Sequence, residues 1–142
     1  MNRHITIGNW TQQRTAARAV RDEVFIVEQA IPVELEWDDM DALCVHAVAY
    51  DAQGQAIGTG RLLPDGHIGR MAVSRLARGA GIGAMILQAL MEQARARGDQ
   101  AVLLNAQTHA EDFYARHGFV REGEEFMEAG IPHIQMRHVF PA

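Results

Sequence analysis

The stretch Arg78-Gly79-Ala80-Gly81-Ile82-Gly83-Ala84 decides the architecture, because it joins a strand-like run ending at Val73 to the longest amphipathic segment of the chain. Over residues 82–97, Ile82, Met85, Ile86, Ala89, Leu90 and Gln93 recur on one helical face. Arg95 and Arg97 complement the carboxyl-terminal dipole, and Gly98 stops the helix. A strand, a glycine turn and a helix in succession have two physical uses. Glycines let a backbone approach a bulky anion, and the first free N–H groups of a helix lie at the positive end of its dipole, so the turn can cradle a pyrophosphate. The same residues also make a tight structural turn, and the pattern alone does not separate the two. A lysine-dependent phosphate loop is excluded because Gly-Lys-Ser/Thr is absent, and a dinucleotide fingerprint would open a βαβ unit instead of following a meander.

The meander is read from residues 44–50 and 56–63, apolar runs joined by Asp51-Ala52-Gln53-Gly54, and residues 67–73 after Pro64-Asp65-Gly66. Upstream, His4-Ile5-Thr6-Ile7 alternates like a short strand, and Asn9 with Gln12 has capping-box spacing, which places a helix start near Thr11. Ala16, Ala17, Ala19, Val20, Val24 and Phe25 form its apolar stripe, with Arg14, Arg18, Arg21 and Asp22 on other faces, and it ends before Pro32. Residues 32–41 interleave Glu34, Glu36, Asp38, Asp39 and Asp41 with Leu35, Trp37 and Met40, which suits a second short helix, a structured loop or a solvated acidic connector. Downstream, residues 101–106 read as a buried strand and 110–117 as a short helix closed by Gly118. Residues 119–126 and 133–139 read as two strands around Ala129-Gly130-Ile131-Pro132. The order β-αα-βββ-α-β-α-ββ predicts a mixed α/β domain and not a simple Rossmann alternation.

At 142 residues, 48% hydrophobic and 22% charged, with no repeat, low-complexity tract or linker, the chain is expected to form one domain over residues 1–142. A net charge of -5 gives no basic field for nucleic acid or an anionic membrane. No run approaches the roughly 20 apolar residues that span a bilayer. All 13 basic residues are arginines, which removes Schiff-base and lysyl-nucleophile chemistry. Cys44, the single cysteine, reads as a buried inert thiol; it excludes an intramolecular disulfide and fits a reducing, cytoplasmic setting. The 7 histidines lack helical i, i+4 pairing and a His/Cys cluster, so no metal is expected.

Beyond the turn, Ala110-Glu111-Asp112-Phe113-Tyr114-Ala115-Arg116-His117-Gly118-Phe119 sets an alanine four residues before a tyrosine that is followed by Gly-Phe. With Arg78, Gly81 and Gly83 filling the pattern Gln/Arg-x-x-Gly-x-Gly/Ala, the chain resembles the GNAT superfamily of acyl-CoA N-acyltransferases. Arg21-Asp22-Glu23-Val24-Phe25-Ile26-Val27-Glu28-Gln29, Asn105-Ala106-Gln107 and Gly130-Ile131-Pro132-His133-Ile134-Gln135-Met136 further resemble its ElaA-like subgroup. The resemblance implies a single central, mostly antiparallel sheet of about seven strands, splayed between the fourth and fifth and flanked by about four helices.

It also implies a chemistry: transfer of an acetyl group from acetyl-CoA to a primary amine of a small molecule or peptide, by direct attack in a ternary complex. A non-catalytic acyl-CoA-binding sensor or interaction domain on the same fold is the alternative. Met71, Ala72 and Val73 match the strand whose backbone pairs with pantetheine, and an amide near Val73 would stabilise the oxyanion. Arg78, Gly79, Ala80, Gly81, Ile82, Gly83 and Ala84 match the pyrophosphate loop, and Gln107 stands where many members carry an asparagine that contacts the cofactor. Tyr114 matches a tyrosine near the coenzyme sulfur, a general acid for the departing thiolate. Phe25, Glu28, Gln29 and Glu34 fall in the region that borders the acceptor. For the amine's proton, Glu28, Glu34, Glu36, His46, His67 and His109 are the candidates, and His109 is preferred because it lies between Gln107 and Tyr114. An exposed edge on the final strands would permit a homodimer.

Overall fold

Asn9 and Gln12 close the start of the first helix as their spacing dictates. Asn9 Oδ1 accepts from the Gln12 amide and Gln12 Oε1 from the Asn9 amide, both at 2.9 Å, so α1 (Trp10–Arg21) begins one residue before the expected start. The computed structural model describes residues 3–33 and 38–141, so Glu34 and Glu36 and the roles expected of them lie outside the described residues. The helix runs on into a π-helical turn, Asp22–Glu28, in which the Gln29 amide reaches back to Val24 O at 3.0 Å. Ala17, Val20, Val24 and Phe25 are buried, as the stripe predicts, and Ala19 is exposed. Arg21 corrects the sequence reading: it is not on a solvated face but 1% exposed.

β1 (His4–Gly8), β2 (Val45–Tyr50), β3 (Ala56–Leu62) and β4 (Ile68–Val73) form an antiparallel sheet in that order. β5 (Ala101–Gln107), β6 (Val120–Glu128) and β7 (Ile131–Val139) form a second, ordered β5-β7-β6. Among the described residues the sheets are tied by backbone only where β4 begins, through the Leu103 amide on Gly66 O at 3.1 Å and a parallel bridge from His67 to Leu103. The seven strands and the splay agree with expectation, and the splay is wide enough to divide the hydrogen bonding into two sheets. The β6–β7 turn is tighter than the four residues expected. Ala129 and Gly130 take φ of 51° and 77°, a two-residue turn whose twist matches the strands, so Ile131 and Pro132 belong to β7.

α2 (Ile82–Ala96) buries Ile82, Ile86, Leu87, Leu90, Met91 and Ala94, and each large one contributes about 1.5–3 kcal/mol. Leu87, Met91 and Ala94 broaden the expected stripe because the helix packs on both sheets, against β2, β3 and β4 as well as β5. Its close approach requires Gly58 and Gly60 in β3, where a Cβ would stand 2.7 and 2.9 Å from Ile86 carbons. A 3-10 turn, Thr108–Ala110, leads into α3 (Glu111–Ala115), which is shorter than the expected 110–117.

Under α1 the interior is ionic. Arg21 donates to both Asp41 carboxylate oxygens at 2.9 and 3.2 Å, and Arg61 donates to Asp41 at 2.8 Å and to the two Asp38 oxygens at 2.8 and 2.9 Å. Asp41 lies in a 3-10 helix, Asp39–Leu43, and is 4% exposed, so this end of the acidic segment is a structured anchor, not a solvated connector. Burial works against the Arg61 charge, but the Asp38 and Asp41 hydrogen bonds outweigh it and its pKa is raised.

Removing one partner of such a cluster strands a buried cation. Asp41→Ala is therefore expected to lower unfolding stability by about 3–5 kcal/mol in a urea titration. Asp38 is held down to about 2, first by the Arg61 hydrogen bond, so its contribution is complete above the ordinary carboxylate range and lost as pH falls toward 2. Stability measured from about pH 4 down to pH 2 should decline, and Asp38→Asn should make that decline shallower.

Candidate active site

Where β4 and β5 diverge, a cleft of about 910 Å3 opens. Its walls are β4, Asn105 and Gln107 of β5, the segment carrying Phe25, Glu28 and Gln29, the segment carrying His109, Phe113 and Tyr114, and the hairpin residues Glu128 and His133. Ala72 pairs with Thr59, and the Ser74 amide donates to Ile57 O at 2.8 Å. By antiparallel alternation, Met71 and Val73 turn their backbone groups away from β3 and toward the cleft. A bulge sets this phase: Thr59 faces Ala72 but Arg61 faces Gly69, so β4 carries one extra residue, and Arg70 adopts φ 49°.

At the glycine turn, Gly79 and Gly81 take φ of 83° and 80°, and a Cβ on either would meet nothing within 4 Å. Gly81 precedes α2 without a side-chain cap, and the Met85 amide makes the bond to Gly81 O at 3.1 Å. The amides of Ile82, Gly83 and Ala84 therefore lie in the first turn, before an i−4 carbonyl within the helix becomes available to them. A Cβ on Gly83 would sit 3.5 Å from Phe113 and 3.8 Å from Val73. Ala80 O accepts from Arg3 Nη1 at 2.6 Å.

Arg78 and Glu28, assigned to opposite ends of the site by the resemblance, are found together. Arg78 donates to the two Glu28 oxygens at 2.7 and 2.6 Å and, through Nε, to Val73 O at 3.0 Å. The hydrogen bond lowers the Glu28 pKa and raises that of Arg78. Gln107 Nε2 donates to Gln29 Oε1 at 3.2 Å, and Gln107 Oε1 accepts from His109 Nε2 at 2.6 Å, linking three expected site residues in one chain. Phe25 is buried beside them, while His109 is exposed. The Tyr114 hydroxyl faces Met71 Sδ at 3.9 Å between the edge-on rings of Phe113 and Phe119, and burial pushes its pKa up to about 12.

Other expected groups stand apart from this assembly. His46 is 1% exposed under Trp10 and donates through Nε2 to Asp41 O at 2.9 Å; desolvation lowers its pKa. His67 lines the cleft but pairs with Asp65 at 3.0 Å. Cys44 is buried, donates to Met40 O at 3.1 Å, and is pushed by burial to about 11. Among the described residues there is no group of three or more His, Cys, Asp or Glu side chains suited to a metal, and no helix long and apolar enough to cross a membrane.

Sequence reasoning missed His133 and Glu128. His133 is 6% exposed, with Nδ1 at 2.7 Å from Ile131 O and Nε2 at 3.5 Å from Glu128 Oε2. In the sequence it stands in the ElaA-like stretch 130–136 with no role attached to it; its pairing opposite Gln107 on β5 emerges only from the sheet register.

Residues 12–140 match the family model described as an acetyltransferase (GNAT) domain. YjcF of Bacillus subtilis, an uncharacterized N-acetyltransferase, is 41% identical over 129 residues, covering 88% of this chain and 91% of that protein. The structure of an acyl-CoA N-acyltransferase from Pseudomonas aeruginosa is similar with a TM-score of 0.86 at 32% identity, covering 97% of this chain and 100% of that one. Escherichia coli ElaA is similar with a TM-score of 0.85 at 27% identity, covering 96% and 99%.

The left-handed conformation at Gly81 gives a stability test without a steric complication. Gly81→Ala introduces a Cβ into open space but at φ 80°, so it should cost about 1–2 kcal/mol in urea unfolding while leaving the fold intact by circular dichroism.

Proposed function

The chain belongs to the GNAT acetyltransferase family, and from that premise we propose that residues 1–142 form one catalytic domain that transfers an acetyl group from acetyl-CoA to a primary amine of a small molecule or peptide. The observation that carries this reading is the free edge of β4, whose Met71 and Val73 backbone groups face a cleft that reaches Tyr114 on one wall and Arg78 at the glycine turn. An extended pantetheine arm fits such an edge as an added strand would, paired along Met71, Ala72 and Val73. The Val73 amide then serves as a donor to the oxyanion that forms at the thioester carbon, an effect of about 3 kcal/mol for a single donor.

The amides of Gly79, Ala80, Gly81, Ile82, Gly83 and Ala84 suit the pyrophosphate, since the positive end of α2 and the open space over both glycines favour a close anion. Arg78 adds a charge-assisted contact by exchanging Glu28 for phosphate. Gln107 holds the mouth through Gln29, and Phe25, Gln29 and Glu28 border the acceptor side. Tyr114 keeps its proton at neutral pH and donates to the departing sulfur. Direct attack is favoured over an acetyl-cysteine, because a buried thiol pushed to about 11 supplies almost no thiolate at neutral pH. A single, buried cysteine is in keeping with a cytoplasmic setting, and the outer edge of β6 with a homodimer.

Acetyl-CoA at one hundred times its dissociation constant should stabilise the wild type by about 2.7 kcal/mol in thermal unfolding. Gly81→Ala, which puts a methyl into the space the anion would use, should lose part of that gain; Gly81→Glu, larger and anionic there, should lose all of it. Tyr114→Phe should keep the stabilisation and lower kcat by about 10²-fold. Stabilisation with no transfer to any amine would leave a sensor domain, and no stabilisation by any acyl-CoA would overturn the reading.

A further inference from the structure

We propose that Glu128 and His133 form the seat of the acceptor's ammonium group and that His133 Nε2 takes its proton. This inference rests on the acetyl-transfer reading above and extends it to the acceptor. A main-chain carbonyl only accepts, so the 2.7 Å contact to Ile131 O requires His133 Nδ1 to carry a hydrogen. In the neutral ring the lone pair is then on Nε2, which faces Glu128 Oε2 at 3.5 Å. A carboxylate oxygen and an imidazole lone pair repel unless a proton or an N–H donor lies between them. A protonated primary amine supplies three N–H donors and a positive charge, the complement of that pair.

The carboxylates of the cleft other than Glu128 are engaged by arginines, and the histidines other than His133 do not turn their free nitrogen to a carboxylate that lines it. Glu28 is doubly bonded by Arg78, Asp38 is held by Arg61, His67 is paired with Asp65, and exposed His109 has Nε2 on Gln107. His133 is also well fixed. It pairs with Gln107 across β5 and with Phe126 across β6, whose ring stacks on it at 5.9 Å, so all three side chains share the face that turns toward the cleft. Glu128 pairs with Ile131 beside the two-residue turn and so lies diagonally from His133 on that face. The charged or titratable groups brought near by the packed elements are Glu128 from β6 and His109 from the turn ahead of α3; Gln107 of β5 is neutral.

The ammonium gives one proton to His133 Nε2, and the imidazolium is held by Glu128. The freed nitrogen lone pair forms the C–N bond at the thioester carbonyl. The C–S bond then breaks with its electron pair on sulfur, which takes a proton from Tyr114; the second nitrogen proton leaves to solvent, from which Tyr114 is reprotonated, and His133 releases the first.

The test compares wild type, His133→Gln and Glu128→Gln with acetyl-CoA and a panel of benzylamine, spermidine, glycinamide and hydroxylamine, the last uncharged at neutral pH. Acetyl-CoA should stabilise all three proteins equally. His133→Gln should lower kcat/KM for the best charged amine by about 100-fold at pH 7, a deficit that narrows as pH rises toward the amine's own ionisation, yet stay within a few-fold of wild type with hydroxylamine. Glu128→Gln should raise KM for the charged amine more than it lowers kcat. An equal deficit for charged and uncharged acceptors at every pH, or no deficit, would overturn the inference and leave acetyl transfer standing. A wild type that acetylates none of the four would overturn the transfer reading and this inference with it.

Discussion

The Leu103 amide on Gly66 O at 3.1 Å and the parallel bridge from His67 to Leu103 hold the start of β4 against β5, and the site depends on there being, among the described residues, no such tie further along. An unpaired strand edge is ordinarily a liability, because each exposed N–H and C=O needs a partner. Here Val73 O finds one in Arg78 Nε, and the remaining groups of Met71 and Val73 face an open cleft. Which groups face it is fixed by the single extra residue opposite Gly60. Shifting the alternation by one would turn the Met71 and Val73 backbone groups toward β3 and those of Ala72 outward. Arg70 sustains the bulge at φ 49°, where a side chain costs about 1–2 kcal/mol, and that strain is the local cost of the phase.

The ionic cluster under α1 acts on the same geometry from the other side. Arg21, Asp41 and Arg61 join the end of α1, where the chain passes into its π-helical turn, to the 3-10 helix and β3. Apolar residues of similar volume often hold such elements together with little loss of stability. What they would not reproduce is Asp38, which shares Arg61 with Asp41 and lines the cleft. The cluster thus carries charge from the interior to the end of the cleft away from the glycine turn.

The sequence makes the local features legible and hides those set by tertiary pairing. Asn9 with Gln12, the meander and the turn from Arg78 to Ala84 follow from short-range chemistry, and the structure has each within a residue or two. The splay came from family resemblance, since no periodicity marks where two strands part. Arg21 reads as solvent-facing because an amphipathic pattern counts every arginine as polar, whether or not a buried carboxylate awaits it. Arg78 and Glu28 each have a plausible separate role, and nothing in a separation of 50 residues suggests that they meet. His133 was hidden for the same reason: its neighbours Gln107 and Phe126 belong to other strands.

Tyr114 ties the cleft's packing to the proposed chemistry. A phenol at about 12 facing a thiolate whose conjugate acid is ordinarily near 8.5 makes complete proton transfer uphill by roughly 3–4 pKa units, about 5 kcal/mol. In the proposed reaction the hydroxyl would therefore serve first as a hydrogen-bond donor while charge builds on sulfur, the proton moving only as the C–S bond finishes breaking. Its partner in the unliganded cleft favours that role. Met71 Sδ, at 3.9 Å, is a weak acceptor, and exchanging it for an anionic sulfur sacrifices little. The burial that raises the phenol's pKa also lowers the polarity around it, so the property that weakens Tyr114 as an acid strengthens its hydrogen bond to an anionic sulfur.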